Sequence, residues 1–270
     1  MTAQQITPTD PRPRTPDTLV RANPVRDTWN VLTRELKPVV RDPFTLIFSL
    51  VQPLVFLGLF APLLIGQSDD QAATLQWFVP GVLVMIVLFG TGAVGSNLQY
   101  EMMTGSHERT LVAPLSRSSL LVGRALKEIA PIVVQALLIV AIALPFGFRA
   151  DPLGLLIGLA LLAVFGVGLG SLSYTLALKT KDREWLFWGV QQTLIFPLMI
   201  LSGMLLPLDT GPGWMRAVAT VNPLNWVVQA ERALLAGDLG DVVVLWGWVA
   251  AVVLAALGLW AGIRAMRKSS

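Results

Sequence analysis

The residues able to do chemistry in this chain are concentrated in one charged stretch, residues 99–127, of an otherwise apolar sequence. Its ionisable side chains, which include the only histidine, are Glu101, His107, Glu108, Arg109, Arg117, Arg124 and Lys127. The sequence has no cysteine, which excludes thiol catalysis, a disulfide scaffold and cysteine-ligated metal sites. A single histidine also excludes a metal site made from several histidines of one chain.

The sequence also lacks the GxxxxGK[ST] loop that cradles nucleotide phosphates in P-loop ATPases. A membrane-embedded enzyme would need His, Asp or Glu residues clustered at the membrane interface, and the sequence shows no such cluster. We therefore predict that the chain is not an enzyme, holds no cofactor and does not hydrolyse ATP by the P-loop route. Any chemical energy that it uses must come from another protein.

Composition places the charged stretch in a membrane protein. The chain has 270 residues, of which 54% are hydrophobic and 14% charged, whereas about a quarter of the residues in soluble domains are charged. The apolar residues form blocks close to the ~20 residues that a helix needs to cross a bilayer. We predict an all-α fold with six transmembrane helices, at residues 44–66, 77–97, 129–148, 153–178, 186–206 and 242–263.

The basic residues predict the orientation of these spans, because cytoplasmic loops are enriched in Lys and Arg. With the N-terminus inside, the outer segments contain few of the 20 basic residues, namely Arg149, Arg216 and Arg232. The acidic residues of the outer segments are Asp69, Asp70, Asp151, Asp209, Glu231, Asp238 and Asp241. We predict a multi-pass protein of the cell membrane, in contact with lipid, with both termini in the cytoplasm. This distribution accounts for the net charge of +3 without a nucleic-acid partner.

The N-terminal residues precede the first span in two parts. Residues 1–24 are rich in proline and polar residues, which is typical of a disordered tail. Residues 25–41 predict an amphipathic helix suited to the lipid headgroup layer, with apolar Trp29, Leu32 and Leu36 opposite basic residues that include Arg34. The alternative is a soluble helix that packs on a partner.

The charged stretch reads as a helix, a break, a short helix, a second break and a third helix. Span 2 is expected to continue to residue 103, and residues 104–106, which include Gly105, then interrupt it. A short helix over residues 107–113 follows and ends before Pro114. Because isolated helices need ~12–15 residues to be stable in water, this one must pack against something. Either the inner surface of the same protein or the groove of a cytoplasmic partner could provide the contact.

The predicted spans contain no ionisable residue in their interiors, although such residues usually mark ion pathways. This argues against an ion-coupled carrier. The uncharged polar candidates for the lining of a pathway are Gln52, Thr91, Gln191, Gln192 and Thr193. The alternative is that such groups only bond neighbouring helices. The glycines of span 4, including Gly166, Gly168 and Gly170, predict close helix packing rather than a nucleotide loop.

Residues 207–241 are too broken by proline and glycine to span the membrane. Pro212 and Pro223 fit first helical positions, and Asn222 fits the N-cap before Pro223. We predict a broken helical hairpin that dips into the outer leaflet and is anchored by Trp214 and Trp226. These two tryptophans, Asn222 and Pro223 would form an outer gate, or else a simple cap.

Two regions resemble a known family. In the charged stretch, the residues that carry the resemblance are Glu101, Gly105, Glu108, Leu111, Pro114, Ser116-Arg117 and Gly123-Arg124. Between spans 5 and 6, the corresponding residues are Leu201-Ser202-Gly203, Pro207-Leu208, Pro212-Gly213-Trp214, Asn222-Pro223 and Arg232. Both sets resemble the membrane subunit of type-2 ATP-binding-cassette (ABC) exporters of the daunorubicin/doxorubicin-resistance kind. The likeness covers residues 25–265, with Ser106-His107 in place of the family's more usual threonine.

This resemblance implies a homo- or heterodimer of six-span subunits that binds two cytoplasmic ATPase subunits, which hold the ATP and Mg²⁺. It implies an elbow helix at residues 25–41 and a coupling helix at residues 107–113. The implied contacts to the ATPase are Glu101, Gly105, His107, Glu108, Arg109, Leu111, Val112, Pro114 and Leu115. The expected function is export of a hydrophobic or amphipathic compound such as an antibiotic. Export of lipid or polysaccharide, and ion-coupled transport, are the alternatives.

Overall fold

The structure, a computed structural model, describes residues 29, 33, 43–66, 70–105, 122–123, 126–181 and 183–268. This part of the chain is helical and contains no strand, which confirms the all-α prediction for the described residues. The helices with defined bounds are α1 (Pro43–Ile65), α2 (Gln71–Met103), α3 (Ile129–Ala143), α4 (Pro152–Lys179), α5 (Glu184–Ile200), α6 (Gly213–Val221), α7 (Pro223–Ala236) and α8 (Val242–Lys268).

Helix α2 lies at the centre of the bundle, because α1, α3, α4 and α7 all pack against it. Its buried residues run from Leu75 to Gln99. The carboxylate of Asp70 caps its start by accepting a hydrogen bond from the backbone N–H of Ala73 at 3.0 Å. It ends at Met103, as predicted, because Gly105 follows with a φ of 68°, a left-handed conformation that glycine adopts without a steric penalty.

Helix α4 allows its neighbours to approach closely through glycine. A Cβ on Gly168 would lie 2.8 Å from the backbone nitrogen of Ala255 in α8, and a Cβ on Gly166 would lie 2.7 Å from the Ile132 side chain in α3. Gly258 of α8 packs in turn on the carbonyl of Gly168. This confirms that the span 4 glycines serve helix packing, since small residues let backbones meet.

The fifth predicted span, residues 186–206, was wrong at its C-terminal end, because α5 stops at Ile200. The hydroxyl of Ser202 donates to the Met199 carbonyl at 2.6 Å and accepts from the Met204 backbone N–H at 3.3 Å. Gly203 then takes a φ of 67°. These local bonds compete with the helical ladder, so the apolar residues after Ile200 form turns rather than another helical turn.

Four helices among the described residues are long and apolar enough to cross a membrane, namely α2, the helical segment 129–146, α4 and α8. Residues 49–65 of α1 form a shorter apolar helix, and α5 has 17 residues. The structure therefore supports several spans, and the count of six stays a prediction.

The segment between spans 5 and 6 does contain two short helices, as predicted. Asn222 caps α7, its side-chain oxygen accepting from the backbone N–H of Leu224 at 3.0 Å, and Pro223 occupies the first turn. Pro212 was misplaced by one residue, because α6 begins at Gly213. Helix α7 is not a loose cap: Val227, Val228 and Leu234 are buried where it packs on α8, α4 and α2.

Most of two predicted functional segments lies outside the described residues. The first is the N-terminal region, in which only Trp29, 63% exposed, and Thr33 are described, so the tail and the elbow residues Leu32, Arg34 and Leu36 stay predictions. The second is the centre of the charged stretch. Its predicted contact residues outside the described part are His107, Glu108, Arg109, Leu111, Val112, Pro114 and Leu115.

The contact between α4 and α8 gives a first prediction. We expect Gly168→Ala to lower the free energy of unfolding by about 1–3 kcal/mol, the usual cost of overpacking, because its Cβ meets backbone rather than a flexible side chain. Gly170→Ala is the matched control, since its Cβ would lie 3.5 Å from the Val94 side chain, an ordinary contact. Thermal unfolding of both variants in the same detergent tests this, and equal midpoints would contradict it.

Candidate functional site

A cleft of about 350 Å³ lies between α2, α4 and α5. Its walls are mainly hydrocarbon, from residues such as Leu88, Leu172 and Leu194. The polar groups in the lining are Thr91, Ser173, Thr175, Lys179 and Gln191. An apolar cleft with a few polar groups is the usual form of a site for a hydrophobic or amphipathic small molecule.

Gln191 lines this cleft, and two small residues make room for its side chain. Its side-chain amide packs directly over Gly92 of α2, where a Cβ would overlap it. Its Oε1 accepts a hydrogen bond from the Ser173 hydroxyl of α4 at 3.5 Å. The Thr91 hydroxyl bonds its own helix, donating to the Val87 carbonyl at 2.8 Å. Gln191 is therefore the polar group that joins all three helices.

The five predicted lining residues do not form one surface. Thr91 and Gln191 come together in the cleft. Gln192 and Thr193 lie on the exposed side of α5, and Gln52 lies on the exposed side of α1. The separation follows from helical geometry, because consecutive residues of a helix point in different directions. Gly92 and Ser173 were missed, since neither residue type is unusual within a span.

The cytoplasmic end of α2, as the charge distribution predicts it, is tied to the end of α4. Gln99 is buried, and its Nε2 donates to the hydroxyl of Thr180 at 3.1 Å and to the Thr180 carbonyl at 3.4 Å. Glu101, two residues further along, is half-buried, and Met103, about one turn beyond Gln99, is 76% exposed. Of the predicted contact residues, the structure describes Glu101, in the last turn of α2, and Gly105, just after this helix.

The opposite end of the bundle is organised around Arg232 of α7. Its Nε donates to the Trp77 carbonyl at 2.9 Å and its Nη2 donates to the Gly203 carbonyl at 2.8 Å. Its guanidinium also lies 4.1 Å from the centre of the Trp77 ring, a cation–π contact. Burial lowers the pKa of Arg232 to about 10, although the charge of Asp209 opposes the shift. Arg232 therefore stays protonated at neutral pH.

The predicted gate residues have separate roles in the structure. Asn222 connects the hairpin to α5, its Nδ2 donating to the Leu198 carbonyl at 2.8 Å. The indole N–H of Trp226 donates to the Thr220 carbonyl at 2.8 Å, and its ring lies 5.8 Å from that of Trp246 in α8. Trp214 is 61% exposed and Pro223 starts α7. Gating by this set stays a prediction.

Glu231 is a residue whose position the sequence did not reveal. The charge count placed it among the outer acids, but only 1% of it is exposed. Its carboxylate presses on Gly158 of α4, where a Cβ would lie 2.5 Å from Oε2. Its Oε1 has no hydrogen-bond partner among the described residues. Burial accordingly raises the pKa of Glu231 to about 8.

The described residues contain no group of three or more His, Asp or Glu side chains that could hold a metal ion. Lys179, in the last turn of α4, is a charged residue in the lining of the cleft. Its position gives the cleft one charged end and one apolar end.

We expect Glu231 to make the stability of the protein depend on pH. Its pKa is raised from 4.5 to about 8 in the folded protein, so the folded state binds its proton more tightly than the unfolded chain. This contribution is complete below pH 4.5 and is lost as the pH rises through 8. We expect Glu231→Gln to abolish that part of the pH dependence and to be more stable above the raised pKa by about 1–3 kcal/mol.

Thermal unfolding in detergent across this pH range measures the effect. Asp238→Asn, a carboxyl-to-amide change at an exposed position near the end of the same hairpin, is the matched control. A Glu231→Gln profile that parallels the parent would show that this carboxyl titrates normally.

Comparison with known proteins identifies the family. The ABC-2 type transporter family matches residues 26–235. The daunorubicin resistance ABC transporter permease protein DrrB1 of Streptomyces coeruleorubidus is 30% identical over 223 residues, which are 82% of this chain and 78% of that protein. The probable doxorubicin resistance ABC transporter permease protein DrrC of Mycobacterium tuberculosis is 25% identical over 254 residues, 92% of this chain and 88% of that protein.

A third relative is the putative transport permease ycf38 of Cyanophora paradoxa, 29% identical over 218 residues, 78% of this chain and 74% of that protein. The matched segment includes the charged stretch, the cleft helices and the hairpin through α7. With its several apolar helices, the chain is a multi-pass membrane protein, and it belongs to the ABC-2 type transporter family.

Proposed function

We propose that this chain is the transmembrane subunit of an ATP-driven ABC exporter that moves a hydrophobic or amphipathic compound, of the antibiotic class, out of the cell. The likeness to the daunorubicin resistance permease over 82% of the chain carries the proposal. The apolar cleft with Gln191 in its lining supports the proposal, because such a cleft suits a cargo with a large apolar surface and few polar groups.

In this proposal the energy comes from a separate cytoplasmic ATPase, present in two copies, which holds ATP and Mg²⁺. The sequence itself has no P-loop. The elbow helix and the coupling helix, residues 25–41 and 107–113, would contact lipid and the ATPase respectively. Both termini would lie in the cytoplasm, since nearly all basic residues are in the predicted inner segments.

The mechanism that we propose is a switch between two arrangements of the bundle. Movement of the ATPase on ATP binding would displace the charged stretch, which continues directly from α2. Because Gln99 bonds Thr180, the displacement would reach α4 as well as α2. These two helices hold Gly92 and Ser173, the residues that seat Gln191. The cleft would therefore widen or narrow with the state of the ATPase.

A second permease subunit completes the proposed exporter. Gln52, Gln192 and Thr193 lie on exposed sides of α1 and α5. Uncharged polar groups on a membrane face are better satisfied against protein or a pathway than against lipid. A pathway between two subunits would give these three residues such an environment, with Thr91 and Gln191 opening onto it.

Ion-coupled transport by the chain alone is a second candidate, and Glu231 is the observation that favours it. A buried carboxyl that changes charge near neutral pH is a group that a proton-coupled carrier uses. Ion-coupled transport is the weaker candidate because Glu231 lies in α7 rather than in a long span. Export of lipid or polysaccharide is the alternative within the superfamily.

Transport by inverted vesicles separates these functions. With the chain and its ATPase co-expressed, we expect ATP-dependent uptake of daunorubicin that a catalytically inactive ATPase abolishes. A proton gradient without ATP should drive no uptake. If vesicles that contain this chain alone took up daunorubicin on a proton gradient, the exporter proposal would be overturned in favour of an ion-coupled carrier.

The absence of native cysteine allows a direct test of the coupling contact. We expect Glu108→Cys to cross-link to the ATPase subunit, and Asp238→Cys to be labelled only from outside the cell. Glu108→Lys should reduce ATP-dependent transport at least ~10-fold, because it reverses a charge in a contact with the partner that is worth at least ~1.4 kcal/mol. The variant should still insert normally into the membrane. Labelling of Glu108→Cys from outside, or full transport by Glu108→Lys, would contradict the coupling assignment.

A further inference from the structure

A polar cavity of about 310 Å³ lies at the hairpin end of the bundle. It is an open cavity, lined by the start of α2, residues 203–209, α6 and α7. The charged and amide side chains of its lining are Asp209, Arg216, Asn225, Gln229 and Arg232. The cleft between α2, α4 and α5 is, by contrast, lined mainly by hydrocarbon. A cavity of this size and polarity can hold a ligand that is charged and larger than a bare ion.

The sequence builds this cavity by placing polar residues at helical spacing. Asn225, Gln229 and Arg232 recur four and three residues apart, so they share one side of α7. The other side of α7 is apolar and buried, through residues such as Val228 and Leu235. Because α6 folds back before α7, it brings Arg216 into the same lining. The hairpin thus combines a buried apolar side with a polar side that faces the cavity.

Only some of the polar residues in this lining are explained by a role in holding the hairpin in place. Arg232 bonds the carbonyls of Trp77 and Gly203, which is a structural role. The side chains of Arg216, Asn225 and Gln229 make no hydrogen bond within the part of the chain that the structure describes. Half-buried amides without protein partners are costly, and at membrane depth they are tolerated where they line a filled cavity.

Charge determines which chemistry the cavity suits. Two guanidinium groups face one carboxylate, Asp209, so the lining carries a net positive charge. Guanidinium groups bond phosphate oxygens in pairs. A phosphodiester carries one negative charge, and the hydroxyls of its substituents could bond the amides of Asn225 and Gln229. The Trp77 ring lies at the start of the long apolar helix α2, which is where aromatic residues meet lipid headgroups.

We propose that this cavity binds a phosphate group, carried by the headgroup of a phospholipid, with Arg216 and Arg232 as its cationic contacts. The proposal goes beyond transport of a cargo and does not depend on an ATPase. It gives the hairpin a ligand that would anchor it at the level of the headgroups.

Binding to the purified full chain tests the proposal. The probes are dioctanoyl-phosphatidylglycerol, dioctanoylglycerol, which has no phosphate, and inorganic phosphate, with the thermal midpoint as the readout. Arg216→Gln is the variant of choice because Arg216 is exposed and makes no hydrogen bond within the described residues. We expect it to weaken phosphatidylglycerol binding at least ~10-fold. Arg149→Gln, an exposed position near the same end and outside the cavity, should bind as the parent does.

Gln229→Leu is a second variant, and its midpoint without any probe shows whether α7 is still folded. Folded Gln229→Leu should also bind phosphatidylglycerol more weakly. Binding of inorganic phosphate that depends on Arg216 would support the phosphate chemistry and overturn the lipid as its source. The proposal would be overturned if Arg216→Gln bound phosphatidylglycerol as well as the parent does, or if Arg149→Gln weakened that binding as much as Arg216→Gln. It would also be overturned if the parent bound dioctanoylglycerol as well as phosphatidylglycerol.

Discussion

Helices in a bilayer gain little from the hydrophobic effect against one another, because lipid tails are as apolar as their side chains. Their association therefore depends on how closely they can pack, and in this protein α4 sets that distance. Gly154 and Gly158 contact the hairpin helix α7, Gly166 contacts α3 and Gly168 contacts α8. The absence of side chains along one helix thus lets three neighbours approach it from different sides.

The same constraint explains why the hairpin is part of the core. The carbonyl of Leu234 and the carboxyl of Glu231 fit against Gly154 and Gly158, so α7 is held against the bundle along its length. With α7 fixed, Arg232 can reach the carbonyls of Trp77 and Gly203. Two neighbouring ionisable residues, Glu231 and Arg232, are tolerated in this 14-residue helix for different reasons. Arg232 donates to backbone carbonyls. Glu231 is buried, and burial favours its protonated, uncharged form.

Helix α5, in contrast, packs loosely, and its contacts are mainly with α2 and α4. Its outer residues, such as Trp185 and Ile200, are more than half exposed. The cleft that holds Gln191 exists because α5 does not close onto the other two helices. All three regions of interest meet α2: the polar cavity at Trp77, the cleft at Gly92 and the charged stretch from Gln99 onward. Helix α2, with 33 residues, connects the three regions.

Much of this architecture was readable from the sequence. Long apolar blocks predicted the helices, Gly105 predicted the end of α2, and Asn222 with Pro223 predicted the start of α7, because caps and breaks depend on residues a few positions apart. The two sequence signatures predicted the family. The end of α5 was not predicted, since the bonds that Ser202 makes in place of the helical ladder are invisible to hydropathy.

The tertiary structure alone decided which polar residues meet. Thr91 and Gln191 share a cleft with Gly92 and Ser173, whereas Gln192 and Thr193 face away. Glu231 and Asp238 look alike in sequence, as acids of one hairpin, yet one is buried against Gly158 and the other is exposed. Burial and contact depend on residues tens of positions apart in the chain, which local composition does not encode. The sequence by itself therefore determined the class of protein and its helices, and packing determined its sites.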